Sequence, residues 1–189
     1  MLRSARPWSA FGPSAAASGR TASGLILTVL EAPRAFLLQG DPDDHRLAEI
    51  LWRTIGIRRG LAMGEVQRSE TDGSRLATMA PDAWLYLQPN PASPRIAALT
   101  DALADASIAA LIEQTEARSW MSLAGAHVER ALAGLTSRPL TPARFPVGAG
   151  YAIALGPVHC LAERPGMTLF RIACPTSYAP YALAMLRRI

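Results

Sequence analysis

His159 and Cys160 are neighbours in the stretch VHCLAER. An imidazole beside a thiol is material for a metal site. The stretch reads as a β-strand, where adjacent side chains point to opposite faces, so the two cannot share one ion. His45 and His127 stand near the starts of two helices and read as solvated. Asp41, Asp43 and Asp44 are close enough in sequence to hold a cation or to serve a helix N-terminus. With Pro42 at a first helical position, Asp41 reads as the N-cap and its neighbours as dipole partners. The glycine-rich VGAGYAIALG (147–156) lacks G-x-G-x-x-G spacing and runs into a strand where a phosphate loop runs into a helix. All 19 basic residues are Arg, so a P-loop lysine and a Schiff-base lysine are both excluded. Neither a G-x-S-x-G elbow nor an H-E-x-x-H helix occurs. The residues by themselves assign no catalytic, cofactor-binding or metal-binding role.

The elements that would position any such group alternate in type. LILTVL (25–30) and AFLLQG (35–40) are short apolar runs separated by a turn, and read as a hairpin. Leu47, Ile50, Leu51 and Ile55 recur at helical spacing. Residues 57–74 are polar and glycine-rich, hence a loop. Residues 75–89 read as strand, Pro-Asp turn and strand, and Ser93 caps a helix whose buried stripe is Ile96, Leu99 and Leu103. The order then recurs. Residues 108–114 and 118–125 are strands, and Val128, Leu132 and Leu135 share a helix face. A Pro-rich loop covers 136–149, three strands follow (151–156, 158–164, 168–174), and SYAPYALAMLRRI closes as a helix.

Shifting the chain by 85 residues places Leu38 on Leu123, Gly40 on Gly125, Leu47 on Leu132, Leu76 on Leu161, Leu85 on Phe170 and Leu87 on Ile172. The expected fold is therefore α+β, built as two pseudo-repeated β-β-α-β-β-α halves, about 25–104 and 110–189. Sheets would be antiparallel or mixed, with helices packed on them. Gly40 and Gly125 sit where a strand hands over to a helix, and Gly148 sits in the Phe-Pro-x-Gly turn. Gly40 and Gly125 read as a backbone requirement, either φ > 0 or close packing, and Gly148 as a structural turn.

Composition narrows the class further. Half of the 189 residues are hydrophobic and 18% are charged, against about 25% charged in an average soluble protein. Much of the surface is therefore expected to face protein. No apolar run approaches the roughly 18 residues needed to span a bilayer. The net charge of +4 comes from scattered arginines, paired only at Arg58-Arg59 and Arg187-Arg188, without a nucleic-acid signature. Two cysteines, Cys160 and Cys174, make no disulfide framework and fit a reduced cytoplasmic setting. Residues 1–24, rich in Ala, Ser, Gly and Pro, read as a flexible arm, with Trp8 and Phe11 as possible partner contacts.

Four stretches together, TVLEAPRAFLLQGDPDD, MAPDAWLYLQP, RSWMSLAGAHVERALAGL and ARFPVGAGYAIALGPVHCLAERPGMTLFRIACPTSYAPYAL, resemble the gamma subunit of heterotetrameric sarcosine oxidase over residues 25–189. Pro81, Asp82, Trp84 and Leu85, the joint at Leu123 and Gly125, and the turn of Phe145, Pro146 and Gly148 carry the likeness. The chain departs from the usual pattern at Gln114-Thr115-Glu116-Ala117-Arg118 and at Ala124-Gly125-Ala126. The resemblance implies a structural subunit, without catalysis of its own, of a flavoenzyme that oxidises sarcosine or a related secondary or N-methyl amine. It implies transfer of the one-carbon unit to tetrahydrofolate. It also implies alpha and beta subunits holding NAD, FAD and FMN, a delta subunit holding zinc, and a fold like the folate-binding glycine-cleavage T-protein. The rival readings are a stand-alone folate-dependent aminomethyltransferase, with Glu113, Glu116 or Asp82 as its acid, and a non-metabolic adaptor.

Overall fold

A computed structural model describes residues 18–57, 65–69, 72–90, 93–106 and 108–189. Trp8, Phe11 and Arg58-Arg59 lie outside the described residues, as does most of the expected arm. The strands are β1 (Gly19–Arg20), β2 (Ile26–Leu30), β3 (Arg34–Gly40), β4 (Val66–Arg68), β5 (Arg75–Ala80), β6 (Ala83–Gln88), β7 (Ala109–Glu113), β8 (Arg118–Ala124), β9 (Gly150–Leu155), β10 (Val158–Gly166) and β11 (Leu169–Pro175). The helices are α1 (His45–Ile55), α2 (Arg95–Ala106), α3 (Val128–Ala133) and α4 (Ala179–Arg187). One sheet runs β1-β2-β8-β11-β10-β9 and the other β4-β5-β6-β3-β7. Among the described residues every strand pair is antiparallel.

Strand periodicity divides the core into three. Met121, Leu123, Phe170 and Ile172 point to one side of the first sheet, against Val128, Leu132, Ala182, Leu183 and Leu186 of α3 and α4. Leu38, Leu76, Trp84 and Tyr86 of the second sheet meet Leu47, Leu51 and Ile55 of α1 and Leu99 and Leu103 of α2. The alternate residues, Ala35, Ala77, Leu85 and Leu87 on one side and Trp120, Leu161 and Ala173 on the other, fill the space between the sheets. The layers are thus helices, sheet, sheet, helices.

The expected hairpin of residues 25–40 does not form. β2 pairs with β8, whereas β3 pairs with β6 and β7 in the other sheet. Leu27 and Leu38 belong to different cores, and a local hairpin would have forced them into one. The strands 109–113 and 118–124 part in the same way, so each half lends its first strand to the other half's sheet. The polar stretch read as a loop over 57–74 contains β4, which pairs with β5.

The register also corrects the repeat. Leu38 stands opposite Trp84 and Leu111, and Leu123 opposite Phe170 and Leu27. β3 therefore matches β8 at an offset of 85, β6 matches β11 at 86, and β2 matches β7 at 84. A slip of one residue moves a side chain to the opposite face. Trp84 and Tyr86 are thus the counterparts of Phe170 and Ile172, and Leu85 and Leu87 lie between the sheets instead.

Asp44, not Asp41, caps α1, accepting from the Arg46 backbone N–H at 2.8 Å. Asp41 closes its own turn by accepting from the Asp43 N–H at 2.8 Å. Hydrogen bonds from the Arg46 side chain, then from its backbone N–H, hold the Asp44 carboxyl down at about 2. Its ordinary value is 3.8. The folded value is the lower one, so this cap stabilises fully above about pH 4 and is lost as the pH falls toward 2. Asp44→Asn should melt below the parent at pH 6, and the two curves should converge near pH 2. A gap in melting temperature that persists at pH 2 would exclude this origin.

The two joint glycines meet different demands. Gly125 has φ +153°, and a Cβ there would lie 2.5 Å from Leu25 Cδ2. At Gly40 a Cβ would lie 2.9 Å from Ala109 Cβ and 3.0 Å from Leu47 Cδ2. Their N–H groups make matching bonds, Gly40 to the Asp82 carbonyl at 3.0 Å and Gly125 to the Thr168 carbonyl at 2.9 Å. Gly125→Val should cost about 1–3 kcal/mol. His127→Ala, at an exposed position, should stay within about 0.5 kcal/mol. Equal melting temperatures for the two variants would contradict this assignment.

Candidate functional site

The chemistry-bearing side chains taken out of solvent are charged residues within strands. Arg75, the first residue of β5, meets Glu163 of β10 between the sheets, Nη1 to Oε2 3.0 Å, with side chains 7% and 4% exposed. Its guanidinium lies 5.8 Å from the Trp120 ring centre. Burial pushes the Arg75 pKa down; Glu163 pulls it back, while Arg171 and Arg68 add to the downward push. The pair ties one sheet to the other beside the apolar contacts of Ala77, Leu85, Leu161 and Ala173.

The next residue, Arg164, points to the opposite side of β10, and its side chain is 1% exposed. Nη1 donates to the Leu140 carbonyl at 2.8 Å and the Phe145 carbonyl at 3.1 Å. Nη2 donates to Glu129 at 2.9 Å and to the Met167 carbonyl at 3.1 Å. The planar fork thereby fastens the irregular segment 136–149 and the start of α3 to the sheet. The N–H of Gly148, at φ +90°, donates to the Arg164 carbonyl at 2.8 Å.

Cys160 and Cys174 lie on β10 and β11, whose register sets Leu161 opposite Ala173. Both thiols are free and buried. Burial pushes Cys160 up to about 12, with Cys174 adding to the rise, and Cys174 up to about 11. Neither is a thiolate at neutral pH, so neither is an activated nucleophile.

The sequence candidates are not brought together. His159 points away from Cys160 into solvent, and His45 and His127 are exposed on separate helix starts. Glu113 pairs with Arg34 at 3.3 Å on the surface, and Asp82 and Glu116 are exposed. Among the described residues no group of three or more His, Cys, Asp or Glu is placed to hold a metal ion. No helix among them is long and apolar enough to cross a membrane. Arg75, Glu163 and Arg164 were missed by sequence reading, although charges flanked by apolar strand residues, as in CLAER, are a legible sign of burial.

The fold and these positions can be set beside known proteins. The family model of sarcosine oxidase, gamma subunit, matches residues 39–188. The chain belongs to that family. As a gamma-type sarcosine oxidase subunit it is part of an oxidoreductase assembly, and other subunits are its partners. The fold is similar to a chain of the heterotetrameric sarcosine oxidase from Corynebacterium sp. U-96, solved with pyrrole 2-carboxylate. That likeness has a TM-score of 0.76 and 22% identity, over 93% of this chain and 88% of that one. It is also similar to the glycine cleavage system aminomethyltransferase T from Bartonella henselae, with a TM-score of 0.60 and 18% identity. The latter match covers 85% of this chain but 44% of the aminomethyltransferase. No curated protein matches the chain by sequence.

Proposed function

We propose that this family member is a non-catalytic subunit whose work is assembly. It holds together a cytoplasmic, flavin-dependent oxidase for sarcosine or a related secondary or N-methyl amine, with the one-carbon unit passed to tetrahydrofolate. The alpha and beta subunits would carry FAD, FMN and NAD, and the delta subunit zinc. One observation carries the reading: the most deeply buried charged side chains, Arg75, Glu163 and Arg164, face partners within the fold. Arg75 and Glu163 neutralise each other between the sheets, and Arg164 is used by three carbonyls and Glu129. A stand-alone aminomethyltransferase would need a buried acid facing a cavity, and Glu113, Glu116 and Asp82 lie in solvent.

The test is size-exclusion chromatography with visible absorbance, run on the full chain alone and on the chain co-expressed with the flavin-bearing subunits. Alone, it should elute colourless and without amine-oxidising or aminomethyl-transferring activity. Co-expressed, it should travel in fixed proportion with the yellow subunits. A yellow or active chain by itself would overturn the reading. A chain that ignores the flavoprotein would favour the adaptor.

A further inference from the structure

Helix α4 is apolar on two sides. Its inner side, Ala179, Ala182, Leu183 and Leu186, is buried on the first sheet. Its outer side carries Tyr181, 51% exposed, preceded one turn earlier by Tyr178 at 50%. A helix that is apolar all round is normally covered all round. On α1, Glu49 and Arg53 pair across the outer side at 2.7 Å beside the exposed Trp52, whereas the outer side of α4 has no such pair among the described residues. The outer side of α4 borders a groove of about 250 Å³ lined by Leu135, Tyr181, Ala184, Met185, Arg188 and Ile189. That is below the roughly 300–1,000 Å³ of ordinary small-molecule pockets, so it suits one or two side chains better than a flavin or a folate. The groove's one charged liner is Arg188, whose guanidinium makes no ion pair among the described residues.

We propose that this groove receives a segment of another subunit of the assembly, one that presents a large apolar side chain beside a carboxylate. The inference rests on the subunit reading above and names the surface it uses. The apolar side chain fills the space between Leu135 and Met185, and the carboxylate meets Arg188. Tyr, Met and Arg on one exposed face are the residue types enriched at interfaces. Charge selects the occupant. The first 17 residues of this chain contain Arg3 and Arg6 and no Asp or Glu, so they cannot supply the carboxylate. A second copy brings its own net charge of +4, which opposes self-association through a cationic groove.

The experiment uses the co-expressed assembly. A photo-reactive phenylalanine analogue at position 181, with a control at exposed position 159, is cross-linked in the intact complex, and the adducts are identified by mass spectrometry. The expected adduct from 181 lies in another subunit, on a peptide pairing a large apolar residue with Asp or Glu; position 159 gives none there. Arg188→Glu and Ala184→Trp, both on exposed positions, should each raise the dissociation constant of the chain from the assembly at least tenfold. Adducts to residues 1–17 or to a second copy of this chain would overturn the proposal, as would full retention of both variants. Retention would leave the subunit reading standing, whereas a parent chain that never assembles would sink both.

Discussion

Arg164→Met is expected to lower the melting temperature of the chain by about 10 °C. Each buried carbonyl left without its donor costs about 1–3 kcal/mol, the partly exposed Glu129 adds less, and each kcal/mol moves the midpoint of a domain this size by about 2–4 °C. Methionine fills the volume but supplies no donor. Glu129 loses its partner, and the carbonyls of Leu140, Phe145 and Met167 lose the N–H groups that satisfy them. Phe145 is itself buried against Phe170 and Tyr151, so release of the segment reaches the core. Amide hydrogen exchange should therefore rise first across 136–149. Arg164→Lys should fall between parent and Met, because an ammonium can reach Glu129 but cannot span the carbonyls as a fork does. A midpoint within 2 °C of the parent for Arg164→Met would show that the segment holds without the network.

Glu163→Ala is the second large effect. It leaves the Arg75 guanidinium buried between the sheets without a counter-charge, close to the charges of Arg171 and Arg68. The expected loss is about 3–5 kcal/mol in urea denaturation. The double variant Arg75→Met/Glu163→Leu should recover to within about 1 kcal/mol of the parent, since an apolar pair of similar volume needs no desolvation of charge. The sheets meet there through Ala77, Leu85, Leu161 and Ala173, which would accept such side chains. A double variant as unstable as Glu163→Ala would mean that the pair matters for its geometry and not for charge balance.

What could be read from residues alone was local. The helix of Leu47, Leu51 and Ile55 and the strands around Leu38, Trp84, Leu123 and Phe170 announce themselves through spacing, because burial of one face imposes a period on the chain. The glycines at 40 and 125 mark joints by residue type, although the neighbours that crowd them, Ala109 and Leu25, come from distant parts of the chain. Family membership was legible too, because the order of those segments is specific even where each is loose.

Partner choice among the strands was not legible. Residues 26–30 and 34–40 are neighbours in the chain, yet β2 runs beside β8 and β3 beside β6 and β7. Apolar alternation states that a strand has a buried face but not which sheet buries it. For the same reason an offset of 85 looked uniform until pairing showed 84, 85 and 86 in successive elements, each step exchanging the faces. The roles of the charged residues followed only from this. Arg75 and Glu163 lie far apart in the chain and neutralise each other because two sheets close face to face. Adjacent Glu163 and Arg164 serve opposite sides of one strand because the backbone is pleated. Local pattern marked the strongly periodic strands and helices but not β4; long-range pairing and side-chain parity, which no local pattern encodes, decided where each charge ended.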